Sequence, residues 1–303
     1  MNLSEARKQL TFNAELLQLI ETLKNIAATH YHLLEREKQN RFEQFVEAFS
    51  GFFQVVNLVD VPNPLVYGGT EMTGILVVTS DAGFMGGLNN GVTHKAVALQ
   101  KQVGEEKARY IVIGDKGANF FSDLGYPFKS FKGIDYDTRY EQAEALRDYL
   151  VTEFSEGRLG RVAVVYPRAI SFTQQVVEVF GLLPCGQVFA AATGEEEQRE
   201  SEPSMGKLGR LVSRCRQVIV ESPYSDMVTY LAGVWITAKL MEVFEDSKLS
   251  EFAARAMHLE GSMQTLEQNH RKLKYQAFRA AHEVVDKGMR ESFSSKKLRS
   301  SAG

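Results

Sequence analysis

The sequence has little cysteine, and it has no proline near either end. Its two cysteines, Cys185 and Cys215, stand far apart, which argues against a disulfide framework or a zinc knuckle. The formal net charge of −3 does not favour a general nucleic-acid binder. No apolar run reaches the roughly 18 residues of a membrane span, and the N-terminus begins directly with an amphipathic repeat, without a signal pattern. We therefore expect a cytosolic protein of a prokaryote.

All seven prolines lie between Pro62 and Pro223. Because proline interrupts helix interiors, its absence from residues 1–61 and 224–303 permits a long helix at each end. Near the N-terminus, apolar residues recur at alternating steps of four and three, the pattern of a coiled-coil seam. The predicted N-terminal seam comprises Phe12, Leu16, Leu19, Leu23, Ile26, His30 and Leu33, and a second seam in another phase runs from Phe42 to Val59.

The C-terminal region contains a longer seam with the same alternation. A seven-residue repeat of this length requires a partner helix in a left-handed supercoil, and the N-terminal helix is the economical partner. We predict two long antiparallel helices over residues 5–55 and 225–290. The predicted C-terminal seam comprises Leu249, Phe252, Ala256, Leu259, Met263, Leu266, His270, Leu273, Ala277, Ala280 and Val284.

The predicted N-terminal seam contains one polar residue, His30, and the predicted C-terminal seam contains one, His270. A polar seam residue fixes the register of a coiled coil, and it costs less stability when it meets another polar group. We therefore predict that the two histidines face each other, so that facing residue numbers total about 300. That register places Leu23 near Ala277, Ile26 near Leu273 and Phe12 near Gly288, so that both helices end together.

Between the helical ends, three short runs rich in valine and isoleucine predict strands that are covered on both faces, as in a parallel sheet. The runs are "GILVVTS", "ARYIVIGD" and "GRVAVVYP". Helical patterns at residues 91–103 and 139–154 separate them, and "SFTQQVVEVFGLLP" is a candidate edge strand. The acidic residues 192–204 predict an exposed loop. The sequence thus predicts a long helix, a small α/β domain and a second long helix.

A glycine-rich loop follows the first predicted strand, within "GILVVTSDAGFMGGLNNGV" at residues 74–92. It lacks the Lys and hydroxyl residue of a P-loop, and its glycine spacing departs from the dinucleotide fingerprint. We interpret it as a structural strand-to-helix turn, in which glycines allow unusual backbone angles and close packing. A nucleotide-dependent enzyme that uses Ser80 to Asn90 is the alternative. The loop residues of interest are Asp81, Gly83, Gly86, Gly87 and Asn89.

The histidines of the last helix do not predict a metal site. His258, His270 and His282 recur every twelve residues, so each is rotated by about 120° from the next and the three point in different directions. We therefore expect no metal-ligating residue among them.

The order of these features resembles the gamma subunit of F-type ATP synthases along almost the whole chain. "LVVTSDAGFMGGLNN" is similar, nearly letter for letter, to the family's L-V-V-T-S-D-R-G-L-C-G-G-x-N. "IGDKGANFFSDLGY" resembles its G-x-K-G-x-x-F-F-x-x-x-G-Y, and "SEFAARAMHL" resembles its S-E-x-A-A-R-M-x-A-M. "LIETLKNIAA" stands in the place of the first-helix pattern I-T-x-A-M-x-M-V-A-A. Four motifs in the right order indicate this family more strongly than any one of them.

The resemblance implies an α/β fold: a long antiparallel coiled coil of the N- and C-terminal helices plus a small Rossmann-like domain. Its boundaries would be residues 1–61 for the first helix, 62–204 for the Rossmann-like domain with the acidic loop, and 205–303 for the last helix and a basic tail. The implied function is that of a central-stalk rotor, which couples ion flow through the membrane sector to ATP synthesis or hydrolysis in the ring of alpha and beta subunits.

The resemblance also implies partners and a location. The partners would be the alpha and beta subunits, the epsilon subunit and the c-subunit ring, with no nucleic acid. The chain would be a non-catalytic subunit without a cofactor, peripheral on the cytoplasmic face of the bacterial plasma membrane. The implied rotor contacts are Leu19, Leu23, Lys24, Ile26, Lys274, Gln276 and Glu283.

The chain departs from the family pattern in both long helices, which indicates a divergent bacterial form. The first helix has fewer basic residues than the family's. Near the C-terminus the family's Arg-Gln pair becomes Tyr275-Gln276, and Lys274 is the nearest substitute for the arginine that grips beta subunits. A coiled-coil scaffold without a rotary role is a second alternative function.

Overall fold

The computed structural model describes residues 3–38, 63–186 and 223–300. The chain divides into two compact units: residues 1–30 with 255–303, here the coil unit, and residues 31–254, here the sheet unit. The predicted seam from Phe42 to Val59 and the predicted acidic loop 192–204 lie outside the described residues.

The described elements are helix α1 (Leu3–Lys38), helix α2 (Pro64–Tyr67), strand β1 (Thr73–Val78), helix α3 (Leu88–Val103), strand β2 (Ala108–Ile113), helix α4 (Asp115–Asp123), strand β3 (Phe128–Phe131), helix α5 (Arg139–Ser155), strand β4 (Arg161–Ala169), strand β5 (Gln175–Leu183) and helix α6 (Tyr224–Ser300).

The sheet unit is built around a five-stranded sheet in the order β3-β2-β1-β4-β5. Strands β1, β2, β3 and β4 run parallel, and β5 pairs antiparallel with β4 at one edge. The three apolar runs are therefore parallel strands, as predicted, and "SFTQQVVEVFGLLP" does contribute the edge strand. The short strand β3, "FKSF", was not predicted, because four residues, of which the middle two are exposed, give little signal.

Both faces of the sheet are covered, since alternate residues of a strand point to opposite sides. On one face, Ile75 and Val77 of β1 pack with helices α3 and α4, for example with Val92 and Phe121. On the other face, Leu76 and Val78 pack with α5 and with the first third of α6. This double cover explains why the central strands consist of uninterrupted apolar residues.

The first third of α6 is a core helix of the sheet unit. Four of its large side chains are buried against the sheet: Leu231, Trp235, Ile236 and Phe244. The stretch Ser225–Phe293 contains an 18-residue window that is long and apolar enough to cross a membrane, by length and composition alone. Because 56% of that window is buried inside the protein, its apolar character is explained by packing against the sheet.

Helix α6 is continuous over 77 residues, which confirms the prediction that no break interrupts residues 249–284. Within the coil unit it packs antiparallel to α1. Its predicted seam is largely confirmed: Ala256, Leu259 and Ala280 are buried, and Met263, Leu266, His270, Leu273 and Ala277 are partly buried. Val284 was wrongly included, because its side chain is 55% exposed.

The predicted N-terminal seam was wrong by one residue. The side chains of α1 that turn inward are each one position later than predicted, which rotates the buried stripe by about 100°. The predicted seam followed one row of large apolar residues, whereas the structure turns inward the neighbouring row, which mixes large residues such as Leu17 and Ile20 with Asn13 and Lys24. The inward positions are Leu3, Ala6, Leu10, Asn13, Leu17, Ile20, Lys24, Ala27, Tyr31 and Leu34, again at alternating steps of three and four.

The predicted pairing of His30 with His270 was also wrong. His270 Nδ1 lies 3.1 Å from Asn13 Oδ1, and Lys24 Nζ lies 2.9 Å from Glu260 Oε2. The residue numbers of these pairs total 283 and 284, not 300, so Leu23 does not face Ala277 and Ile26 does not face Leu273. His270 does meet a polar partner, as expected for a polar seam residue. The partner is Asn13, which the predicted seam placed on the outer side of α1.

The two helices do not end together at Phe12 and Gly288, as the earlier register required. With facing numbers that total about 283, Leu3 at the start of α1 lies opposite Ala280. Helix α6 continues to Ser300, so about twenty residues of it extend beyond the described start of α1. Val285, Met289 and Phe293 in this extension are all more than half exposed.

The register predicts which engineered cysteines will form a disulfide. We expect Leu17→Cys with Leu266→Cys to cross-link under mild oxidation, because these inward residues face each other and a disulfide requires Cα atoms about 4.4–6.8 Å apart. The pair Leu23→Cys with Ala277→Cys, which faces only in the register totalling 300, is the control and should stay reduced. Mobility on a non-reducing gel reports both results. Cross-linking of the control pair alone would contradict the register totalling 283 and support the one totalling 300.

Gly114 makes a close approach that a side chain would prevent. Its φ is +93°, and a Cβ added there would lie 2.3 Å from the carbonyl oxygen of Thr79, at the end of β1. We expect Gly114→Ala to lower the free energy of unfolding by about 3 kcal/mol, from backbone strain and overlap together. Gly125→Ala is the matched control, because Gly125 has a φ of +73° but open space around it, and it should cost only about 1–2 kcal/mol. If both variants shift the urea midpoint equally, the close contact between residue 114 and Thr79 contributes nothing to the cost.

Candidate functional site

The outer side of α1 carries an apolar stripe. Within the coil unit, Phe12, Leu19 and Ile26 recur every seven residues, and each is at least half exposed, with Phe12 at 67%. In a two-stranded coiled coil this outward position is ordinarily polar, because it faces water. Single exposed apolar residues are common on protein surfaces, but a continuous row of them marks a surface that another molecule covers.

Four of the predicted rotor contacts lie on α1, and they do not share one face. Leu19 and Ile26 belong to the outer stripe, and Leu23 is half-buried on the flank. Lys24 turns inward, where Nζ contacts Glu260 Oε2 at 2.9 Å and Met263 Sδ at 4.0 Å. The hydrogen bond from Lys24 holds the pKa of the Glu260 carboxyl below its usual range. The structure thus uses the charge of Lys24 within the coil unit.

The other three predicted contacts, Lys274, Gln276 and Glu283, are exposed on α6. Glu283 Oε1 lies 3.3 Å from Arg279 Nε, one helical turn away. Two exposed aromatic residues that were not among the predicted contacts, Tyr275 and Phe278, lie beside them. The sequence does contain a signal for them, because neither residue occupies a position of the predicted seam. An aromatic side chain outside the seam does not face the partner helix and is therefore expected to be exposed.

Several polar groups in and beside the glycine-rich loop between β1 and α3 are paired with one another. Asn89 Oδ1 accepts from the backbone N–H of Ser80 at 3.2 Å, and Asn89 Nδ2 donates to Ser80 Oγ at 2.9 Å. The Ser80 hydroxyl donates to the carbonyl of Ala82, and the N–H of Leu88 donates to Met85. Asp81 Oδ1 accepts from the N–H of Asp115, the first residue of α4. These bonds hold the loop as a turn between a strand and a helix.

The loop glycines differ in what they contribute. Gly86 has a φ of +57°, which favours glycine, whereas Gly83 and Gly87 have ordinary angles and open space around the position of a Cβ. Phe84 has a φ of +65°, and its side chain is exposed. The carboxylate of Asp81 occupies the space where a Cβ of residue 133 would lie, which explains the glycine there.

Clusters of metal-ligating side chains and the thiol of Cys185 are two features that could carry chemistry. No cluster of three or more His, Cys, Asp or Glu among them could hold a metal ion. Cys185 is buried, and desolvation raises the pKa of its thiol to about 12, so it is protonated at neutral pH and a poor nucleophile.

Comparison with solved structures shows the fold. A chain of the Euglena gracilis mitochondrial ATP synthase in rotational state 3 superimposes with a TM-score of 0.65 at 13% identity, covering 98% of this chain and 94% of that one. A chain of the central stalk and c-ring assembly of the Tetrahymena thermophila mitochondrial ATP synthase gives 0.55 at 17% identity, covering 80% and 99%.

Comparison of sequences identifies the family. The ATP synthase gamma chain of Exiguobacterium sp. is 28% identical over 225 residues, which is 73% of this chain and 71% of that protein. The ATP synthase gamma chain of Trichormus variabilis is 21% identical over 270 residues, covering 84% and 85%. The family model described as ATP synthase matches residues 2–291, nearly the full length. The chain therefore belongs to the ATP synthase gamma family.

Proposed function

We infer that this chain is the central-stalk rotor subunit of an F-type ATP synthase, which couples ion flow through the membrane sector to ATP synthesis or hydrolysis. The observation that carries the proposal is the outer apolar stripe of α1. A coiled coil with Phe12, Leu19 and Ile26 on its water-facing side is suited to a bore lined by other subunits. Because the ATP synthase family model matches residues 2–291, the subunits that line this bore are those of an ATP synthase.

The partners of the coil unit are the alpha and beta subunits of the ring, and the complex also contains the epsilon subunit and the c-subunit ring. Catalysis belongs to the ring, and this chain is non-catalytic. It lies peripherally on the cytoplasmic face of the bacterial plasma membrane. Support for a non-catalytic role comes from the two hydrogen bonds between Ser80 and Asn89, which engage the side-chain amide of Asn89 and the N–H and hydroxyl of Ser80 within the turn.

A rotor of this kind acts through the differences between its sides. The side formed by α1 is apolar, and the outer side of α6 carries positive charge and two aromatic residues, Tyr275 and Phe278. Catalytic sites placed around the coil therefore meet different chemistry at any instant, and each is biased toward a different conformation by the contact it makes. Rotation exchanges those contacts among the sites, which alternates their affinity for nucleotides.

The stripe predicts a specific loss of binding. We expect Leu19→Asp to weaken the affinity of the chain for the alpha/beta ring by roughly tenfold or more, because a buried leucine contact is worth about 1.5–3 kcal/mol. Folding should be little affected, since Leu19 is 56% exposed. Co-purification with co-expressed alpha and beta subunits, followed by affinity measurement with the isolated ring, reports the effect.

Leu124→Asp is the matched control, because Leu124 lies in the sheet unit and is equally exposed, at 55%. It should bind the ring as the unmodified chain does. If the unmodified chain does not co-purify with alpha and beta subunits, the rotor proposal fails. If it co-purifies and Leu19→Asp binds as tightly as the control, the stripe is not the contact.

The non-catalytic role predicts that the isolated chain does not bind ATP at sub-millimolar concentrations. The loop has no Lys to reach a phosphate, and Asn89 already occupies the N–H of Ser80. Isothermal calorimetry with ATP and magnesium tests this directly. Binding in the micromolar range that Gly86→Val abolishes would instead support an enzyme that uses the Ser80–Asn90 loop.

A further inference from the structure

A polar pocket opens at the edge of the sheet where the parallel strands begin, opposite the glycine-rich loop. Strands β1, β2 and β4 are neighbours, and all three start here, since Thr73 pairs with Ala108 on one side and with Arg161 on the other. The pocket has a volume of about 560 Å³, within the range of roughly 300–1,000 Å³ that is usual for small-molecule sites. It is here called the edge pocket, and its lining includes Thr70, Glu71, Thr73, Gln102, Lys107 and Arg161.

Closely packed backbone forms one wall of the edge pocket. The N–H groups of Gly160 and Arg161 both donate to the carbonyl of Met72, at 2.9 and 3.2 Å. A Cβ added to Gly160 would lie only 1.8 Å from the carbonyl oxygen of Thr70, so only glycine allows the turn before β4 to come this close. The wall is therefore fixed before a ligand binds, which lowers the entropy cost of binding.

Several hydrogen-bond donors at the edge pocket have no partner within the described part of the chain. The consecutive N–H groups of Gly69, Thr70 and Glu71 donate to no described group. Thr73 is only 7% exposed, yet its hydroxyl makes no described hydrogen bond. The side chain of Arg161 likewise forms no described hydrogen bond or salt bridge. A ligand rich in acceptor oxygens would satisfy these groups together.

Two cations and one carboxylate line the pocket, so its lining has a positive excess. Lys107 Nζ donates to Glu71 Oε2, and the two side chains are 56% and 81% exposed. The hydrogen bond from Lys107 holds the pKa of the Glu71 carboxyl below its usual range, and the charge of Arg161 adds to this effect. An ion pair this exposed contributes little, so a bound anion replaces Glu71 at Lys107 at small cost.

We propose that the edge pocket binds the phosphate group of an organic ester. Phosphate oxygens accept hydrogen bonds from ammonium, guanidinium and hydroxyl groups, and successive backbone N–H groups at a sheet edge form a cradle for such anions. Lys107 and Arg161 supply the charge, and the N–H groups of residues 69–71 orient the phosphate. Val103 and Pro184 give the organic part an apolar surface. The inference is independent of the rotor function.

A magnetic resonance titration of the full chain with glycerol 3-phosphate tests the site. We expect the amide resonances of residues 69–71 to move with a dissociation constant on the order of 1 mM, which corresponds to a few hydrogen bonds to an exposed anion. Potassium chloride at the same ionic strength is the control and should leave these resonances in place. Equal movement in chloride would show a general salt effect and overturn the soluble site.

Removal of one cation should weaken binding. We expect Arg161→Ala to raise the dissociation constant roughly tenfold, because it removes charge-assisted hydrogen bonds to the phosphate. Lys101→Ala is the matched control, since Lys101 is an exposed cation of the sheet unit that does not line the pocket. It should change the constant by less than about twofold. Both positions are exposed, so folding should be little affected.

Removal of the competing carboxylate should have the opposite effect. We expect Glu71→Gln to tighten binding about threefold, because it releases Lys107 for the phosphate and removes a repulsion. Glu105→Gln is the control, since Glu105 is an exposed carboxylate nearby in sequence that does not line the pocket. Equal gains from both substitutions would indicate a general effect of net charge and contradict a specific site.

Vesicles distinguish the two sources of a phosphate ester, a soluble metabolite and a phospholipid headgroup. The chain and its variants are sedimented with vesicles of phosphatidylglycerol, and vesicles of phosphatidylcholine are the control. Binding of glycerol 3-phosphate that depends on Arg161 supports a soluble ligand, and sedimentation with phosphatidylglycerol alone that depends on Arg161 supports a headgroup. The proposal is overturned if neither ligand binds, or if Arg161→Ala behaves like Lys101→Ala in both experiments.

Discussion

The seam between α1 and α6 in the coil unit is the interaction on which the rest of the account depends. Its buried positions are small, among them Ala6, Ala27, Ala256 and Ala280. Small side chains allow two helices to approach closely, but each buries much less apolar area than a leucine would. The coil therefore gains limited stability from these positions, while Phe12, Leu19 and Ile26 lie outside. A ring that covers those residues would stabilise the coil and bind it in the same step.

Two polar contacts within the seam determine how the helices align. Asn13 with His270 and Lys24 with Glu260 lie eleven positions apart along α1, and both enforce the same register. A slip by one heptad would separate both pairs and leave partly buried polar groups without partners, which is costly. Polar seam positions commonly fix register at the expense of stability. In a rotor, a fixed register also means that torque applied to one helix is transmitted to the other without sliding.

The sheet and the last helix could be predicted from sequence, and the first helix only in part. The parallel strands and the α6 seam were identified because their apolar residues fit one period and one face. In α1 two adjacent rows of residues fit the seam spacing equally well. One contains large residues such as Phe12 and Ile26, and the other contains small or polar residues such as Asn13 and Ala27. The large residues indicated the wrong stripe because they are covered by no described part of this chain. Their exposure is informative, since sequence patterns fail most often at functional surfaces.

Rotation of a single complex is the most direct test of the central claim. The alpha/beta ring would be fixed to a surface, and a bead would be attached to the chain through a cysteine at the exposed Leu124 of the sheet unit. The account predicts that the bead turns continuously in one direction when ATP is added, because the coil must pass from one catalytic site to the next. A bead that stays still while the same tethered complexes hydrolyse ATP would contradict a rotary role and favour a static scaffold.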